Sequence, residues 1–276
     1  MKRLLWCVLF VTLVFVQSAW GAERKTIKVS NARQFLEALG SDRIVEMNYS
    51  GDYNLSAWDP YLVNRKDMPK LANGVSWSEE FEGSELVLRG IKNLTIRCRR
   101  AGDAKAMILI DPRCLFVMKF ENCSDIVMER LSAGHSEGGS CEGGVFSFTD
   151  SSRITLTNVV MFGCGTEGLA LSNVSGMKVK DSVIHSCTYH IMTASGGENI
   201  AFEDCTFMNN REYTLVNVYG TRNMSFSKCR FNENWGQMFE VEDTTVSVSN
   251  SSFKGNKTGS PIRDSKNVKF TNCKFD

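Results

Sequence analysis

Past residue 21 the 276-residue chain has no apolar run long enough to cross a bilayer. It also lacks an excess of charge: 32 Lys and Arg stand against 31 Asp and Glu, with three His. Nucleic-acid recognition favours a basic face, so no nucleic-acid partner is expected, although a local basic groove on a near-neutral protein can still hold an anionic polymer. No CxxC or HxxxH spacing is present and no Asp-rich loop, so neither a metal nor a cofactor is expected. His135, Cys141, Cys164 and Cys187 could converge as zinc ligands, but without a supporting spacing. The Leu/Asn frame of leucine-rich repeats and the 3.6 period of helical repeats are missing too.

What is there is one short pattern written about six times between Asp150 and Asp276. Its first apolar position falls at Ile154, Met177, Ile200, Met224, Val246 and Val268, in steps of 23, 23, 24, 22 and 22. Five residues on come Val159, Ser182, Cys205, Cys229, Ser251 and Cys273, and seven on Met161, Ile184, Phe207, Phe231, Phe253 and Phe275. Ten on come Cys164, Cys187, Asn210, Asn234 and Asn256. Within each unit apolar and polar residues alternate, as half-buried strands require, and the fixed period predicts a solenoid. Asn-x-Ser/Thr triplets such as Asn93-Leu94-Thr95 and Asn223-Met224-Ser225 read as products of this template, not as glycosylation signals.

Residues 1–21 carry Lys2 and Arg3, an apolar run over 4–16 and Ala19-Trp20-Gly21, the layout of a secretory signal peptide. An exported protein, periplasmic or extracellular, is expected, with a net charge near −1 once Lys2 and Arg3 are removed. Loss of Cys7 leaves nine Cys. Cys205, Cys229 and Cys273 are expected as buried thiols, and a Cys164–Cys187 disulfide fits neighbouring rungs.

Residues 22–56 predict an N-terminal cap. Asn31 caps a helix bearing Phe35, Leu36 and Leu39, and a strand at Ile44-Val45-Glu46-Met47 follows. Residues 57–276 form the solenoid, with a long early loop at 57–85 whose Trp58 and Trp77 suit stacking on sugars or packing the cap. A glycine-rich insertion after Gly134 could gather His135, Glu137, Cys141 and Glu142.

Short strands, like residues stacked on like, and Asn at a turn resemble the right-handed parallel β-helix of the pectate-lyase-like superfamily. The likeness over roughly 120–276, with Phe162-Gly163-Cys164-Gly165-Thr166, is similar to exported bacterial β-helix proteins of unassigned function. It implies an all-β fold, with rungs of about 22–24 residues and a short helical cap. It carries over no catalytic residue. The Asp-Asp pair and Gly-His-Gly of polygalacturonases and the calcium-binding Asp cluster of pectate lyases are absent here.

Counting thirteen residues from each rung start gives the column Glu167, His190, Tyr213 and Gln237, flanked by Arg211 and Trp235, with Glu240 on the next strand. A carboxylate, an imidazole and a phenol at strand spacing form a candidate acid–base set. Arg211 would neutralise a uronate carboxylate, and His190 and Tyr213 would move protons in a β-elimination. Trp235, Glu240, His135, Trp58 and Trp77 are the candidate substrate-binding residues, and His185 is a weaker candidate. The expected partner is a polysaccharide or cell-surface glycan and the expected state a monomer. The competing expectation is a structural or adhesive β-helix whose polar column is merely a solvated wall.

Overall fold

The computed structural model describes residues 24–276 apart from 82, 100–104, 113, 138–142 and 164. The expected leader at 1–21 and Cys141 and Cys164 therefore lie outside the described residues. The alternating segments coil into a parallel β-helix of three faces. One rung runs through Ser152–Thr157 on face A, Val160–Phe162 on face B and Glu167–Ser172 on face C, and re-enters face A at Ser175–Lys180. Each strand pairs in parallel with its counterpart one rung on: Ile154 with Met177 in face A, Met161 with Ile184 in face B, Leu169 with Met192 in face C.

Sharp corners demand left-handed backbone, which Asn, Asp and Gly adopt at least cost. Asn158 (φ 56°), Asp181 (50°) and Asp204 (53°) turn the chain out of face A, and Asn173 (53°) and Gly196 (69°) turn it out of face C. Asn93 and Asn223, at φ 56° and 53°, fill the same need at the start of face A strands.

Inside, like packs on like. The rings of Phe207, Phe231, Phe253 and Phe275 follow one another at centroid distances of 4.8, 4.7 and 5.0 Å. Each aromatic contact of this kind adds about 1 kcal/mol beyond burial. Cys205 and Cys229 are buried as expected and Cys273 half-buried; their thiols donate to carbonyls such as that of Val179, 3.4 Å from Cys205. The Cys205 thiol is pushed up by its hydrogen bond with the Cys229 thiol and by burial. Cys114 and Cys187 are each held in a disulfide; Cys164, the expected partner of Cys187, is among the undescribed residues.

At the N-terminal end Lys25–Asn31 pairs in parallel with Arg43–Asn54 around the helix Ala32–Ala38. The Asn31 side chain accepts from the Gln34 amide at 2.9 Å, and Phe35, Leu36 and Leu39 are fully buried. Tyr53 donates its hydroxyl to the Val29 carbonyl at 2.9 Å, and burial pushes its pKa up to about 12.

The long loop 57–85 packs onto the first rungs in part. After the 3-10 turn Leu55–Trp58 the chain forms Val75–Glu80, antiparallel to Gly83–Arg89, which opens face C. Trp58 and Trp77 are half-buried against the core, with the Arg33 guanidinium 5.2 Å over the Trp58 ring. They pack the loop onto the first rungs, where their large apolar area is worth more against the core than in water.

Candidate functional site

The candidate residues sit where face B turns into face C, directly outside the buried Asn ladder. Asn210 donates from Nδ2 to Asn234 Oδ1 at 2.9 Å, and Asn234 in turn to Asn256 Oδ1 at 3.0 Å. The next residue outward on each rung is Arg211, Trp235 and Lys257. The Arg211 amide donates to the Cys187 carbonyl, the Trp235 amide to Asn210, and the Lys257 amide to Asn234. These three therefore form a column at rung spacing. Lys257 Nζ lies 4.8 Å from the exposed Trp235 ring. Arg211, Glu233, Trp235, Gly255 and Lys257 enclose a shallow hollow of about 380 Å³. Lys257 is missing from the sequence-based candidates, yet counting eleven residues from each rung start would have found it.

The neighbouring column is not the one obtained by counting. Glu167 pairs in register with His190, but Met192 pairs with Val216, which sets His190 against Thr214. Tyr213 falls one place earlier, and its ring packs on Tyr189 at 4.9 Å, 62 % exposed. The cause is the 24-residue rung, whose extra residue lies in this corner. Glu212 takes it up, at φ 83°. Gly236 on the next rung (φ 126°) accommodates the widened corner, since a Cβ there would stand 2.2 Å from the Tyr213 carbonyl oxygen. Tyr213 thus leaves the Glu167–His190 column and joins an aromatic pair beside it.

Glu167 is buried. Desolvation raises its pKa, and a hydrogen bond with Thr193 and the charge of His190 offset this only in part. Among the described residues one carboxyl oxygen, Oε2, accepts no hydrogen bond. The His190 Nδ1 meets the Thr214 carbonyl, which can only accept, so Nδ1 carries a proton and the lone pair of a neutral imidazole would stand on Nε2. On the next rungs Thr214 donates to Glu240 Oε2 at 3.0 Å. The corner therefore holds a protonation-prone carboxyl, an oriented imidazole and a strip of exposed aromatic and basic groups.

His135 is not part of it. It ends the face B strand Leu131–His135, where Leu131, Ala133 and His135 alternate inward. Its Nε2 donates to the Leu115 carbonyl at 2.8 Å, and burial lowers its pKa. A substrate cannot reach it, so the expectation of a binding residue is corrected to a buried structural one. His185 stacks on Phe162 with centroids 5.8 Å apart. Among the described residues no group of three or more His, Cys, Asp and Glu could hold a metal ion, and no helix is long and apolar enough to span a membrane.

A family described as "Right handed beta helix region" matches residues 132–276, just over half of the chain. Among solved structures, a pectate lyase, PelN, from Paenibacillus sp. 0602 aligns with a TM-score of 0.52 at 10% identity, covering 84% of this chain and 71% of its own. PfbA, a surface adhesin of Streptococcus pneumoniae, aligns with a TM-score of 0.50 at 11% identity, covering 90% of this chain and 74% of its own. At such identities the likeness is one of fold. No curated protein matches the sequence.

Proposed function

Because the chain belongs to the family of right-handed β-helix regions, we propose that it is an exported protein that binds an acidic glycan lengthwise along the corner between faces B and C. The observation that carries this reading is the column Arg211, Trp235 and Lys257. Among the described residues neither cation forms a salt bridge, unlike Arg153 and Arg222 on face A and Lys228 in the corner after it. Two such cations around an exposed indole suit a sugar ring that bears a carboxylate or sulfate. The Tyr189–Tyr213 pair extends the platform by one rung. Fold relatives that include a lyase and an adhesin are compatible with a glycan partner.

The test is retention on immobilised polysaccharides of differing charge. Acidic glycans should be retained and neutral ones not, with salt weakening the binding. Arg211→Ala, Trp235→Ala and Lys257→Ala should each lose about tenfold or more in affinity, as central residues of a small site do. Equal binding of neutral glycans, or intact binding in all three variants, would defeat the reading.

A second reading is favoured by the tautomer of His190. With Nδ1 donating to Thr214, Nε2 is placed to take a proton, and Arg211 could hold the uronate carboxylate while Tyr213 protonates the leaving oxygen. That is β-elimination, and it forms an unsaturated uronate that absorbs in the ultraviolet. His190→Ala should then abolish turnover but keep binding. No absorbance gain from any glycan that binds would leave a binding protein alone.

A further inference from the structure

We propose that the strip Thr188, Arg211, Trp235 and Lys257 takes a glycan in which acidic and uncharged sugars alternate, and that Glu233 rejects chains with an acid group on every sugar. The inference rests on the acidic-glycan reading above and names the ligand class of that same corner.

It starts from the order of the column. The Arg211 amide donates to the Cys187 carbonyl, which sets Arg211 opposite Thr188. The amides of Trp235 and Lys257 carry the column on through the carbonyls of Asn210 and Asn234, and Trp235 and Lys257 form a parallel bridge. Along the axis the outward groups are a half-buried hydroxyl, an exposed guanidinium, an exposed indole and an exposed ammonium. Cations thus stand on every second rung of the column. Neighbouring rungs lie about 4.8 Å apart, so the backbones of Arg211 and Lys257 are about 10 Å apart. A pyranose with its glycosidic oxygen spans close to one rung in an extended chain, so a chain laid lengthwise sets one sugar over each rung. Its acid groups meet both cations when they recur on alternate sugars.

The rung between the cations is not merely uncharged. Glu233 stands two residues before Trp235, is exposed and lines the same hollow. Its own φ of 53° makes it a corner residue, and its amide donates to the Lys254 carbonyl, which sets it beside Gly255 on the next rung. Its stem runs over that glycine, since a Cβ on Gly255 would touch Glu233 Cγ at 3.5 Å. A sugar stacked on Trp235 therefore has a carboxylate beside it. For an uncharged sugar the carboxylate accepts from hydroxyl or amide groups, and hydrogen bonds to an ionised acceptor are short and strong. For a uronate or a sulfated sugar it is a like charge, and a repulsive element of this kind discriminates between ligands that the attractive groups alone would both hold. The two cations fix where acid groups belong, and Glu233 fixes where they do not.

Isothermal titration of the purified protein with two hexasaccharides tests this. One alternates glucuronate with N-acetylglucosamine; the other is galacturonate throughout. The alternating chain should bind at least about tenfold tighter although it carries fewer charges. Glu233→Gln, an exposed change of charge at constant shape, should raise the affinity for the galacturonate chain far more than for the alternating one and close most of that gap. Glu233→Lys, which places cations on three successive rungs, should reverse the order. Equal or tighter binding of the galacturonate chain by the unaltered protein would overturn the inference and leave an acidic-glycan protein without this selectivity. A gap that Glu233→Gln leaves unchanged would overturn it too. Binding of neither chain would remove the acidic-glycan reading along with it.

Discussion

The asparagines inside the B–C corner and those at the two ends of the face A strands make the same bond in opposite surroundings. Asn210, Asn234 and Asn256 link rungs by side-chain amide to side-chain oxygen, and so do Asn223 to Asn199 at 2.6 Å and Asn272 to Asn250 at 2.7 Å. The inner pair Asn210 and Asn234 is wholly buried, and the outer asparagines are exposed. In the inner ladder each amide also serves the main chain: Asn234 Oδ1 accepts from the Asn210 amide at 3.1 Å, and its Nδ2 donates to the Phe207 carbonyl at 3.0 Å. The comparison teaches that a ladder of like residues is not in itself a measure of stabilisation. What counts is how many buried groups would be orphaned without it, because water can replace a lost partner only outside.

The comparison can be broken at its strongest point. Asn234→Ala should destabilise the protein by about 4 kcal/mol, since several buried donors and acceptors each lose a partner at about 1–3 kcal/mol. Urea unfolding would measure it, and a loss below that of an ordinary surface change would mean that water enters the corner. Next in size is Gly236→Ala, just outside the same ladder. Its φ of 126° and the 2.2 Å approach to the Tyr213 oxygen predict a loss of about 2 kcal/mol and a weakened glycan site. Glu212→Gly should act in the opposite sense, raising stability by about 1 kcal/mol by relieving a left-handed non-glycine residue. Smallest is Asn223→Ala on the outer ladder, expected within about 0.5 kcal/mol, as for other exposed positions.

Two buried titrating groups sharpen the contrast through pH. The carboxyl of Glu167 has its pKa raised by burial, so the folded state binds more protons than the unfolded one above the ordinary carboxylate value of 4.5. Stability from this group is full below that value and declines as pH rises through the raised one. Glu167→Gln should remove the decline. His135, with its pKa lowered by burial, works the other way: it costs nothing above 6.5 and destabilises as pH falls below it. Urea midpoints across pH for Glu167→Gln and His135→Gln should show opposite changes of slope.

Much of the fold was legible because each rung repeats its inward pattern. Ile154, Met177, Ile200 and Met224 lie in one inward column as counted, and the Asn ladder runs through Asn210, Asn234 and Asn256. The site was legible in part. Arg211 and Trp235 lie together as their adjacent counts suggested, and Glu167 pairs with His190. Tyr213 was misplaced because a count from face A cannot tell which corner holds the extra residue of a 24-residue rung. His135 was misread because the glycines after it suggested a loop, although Leu131, Ala133 and His135 already alternate as a strand does.

By itself the sequence determined the period, the inward columns and the left-handed corners, because burial and backbone sterics act on each short rung in the same way. Only the tertiary structure decided the register across the widened corner, the burial of His135, the packing of half-buried Trp58 and Trp77, and the meeting of Arg211 with Lys257 on one hollow. Those depend on contacts between rungs far apart in the chain, where a single extra residue turns a side chain from one column to the next.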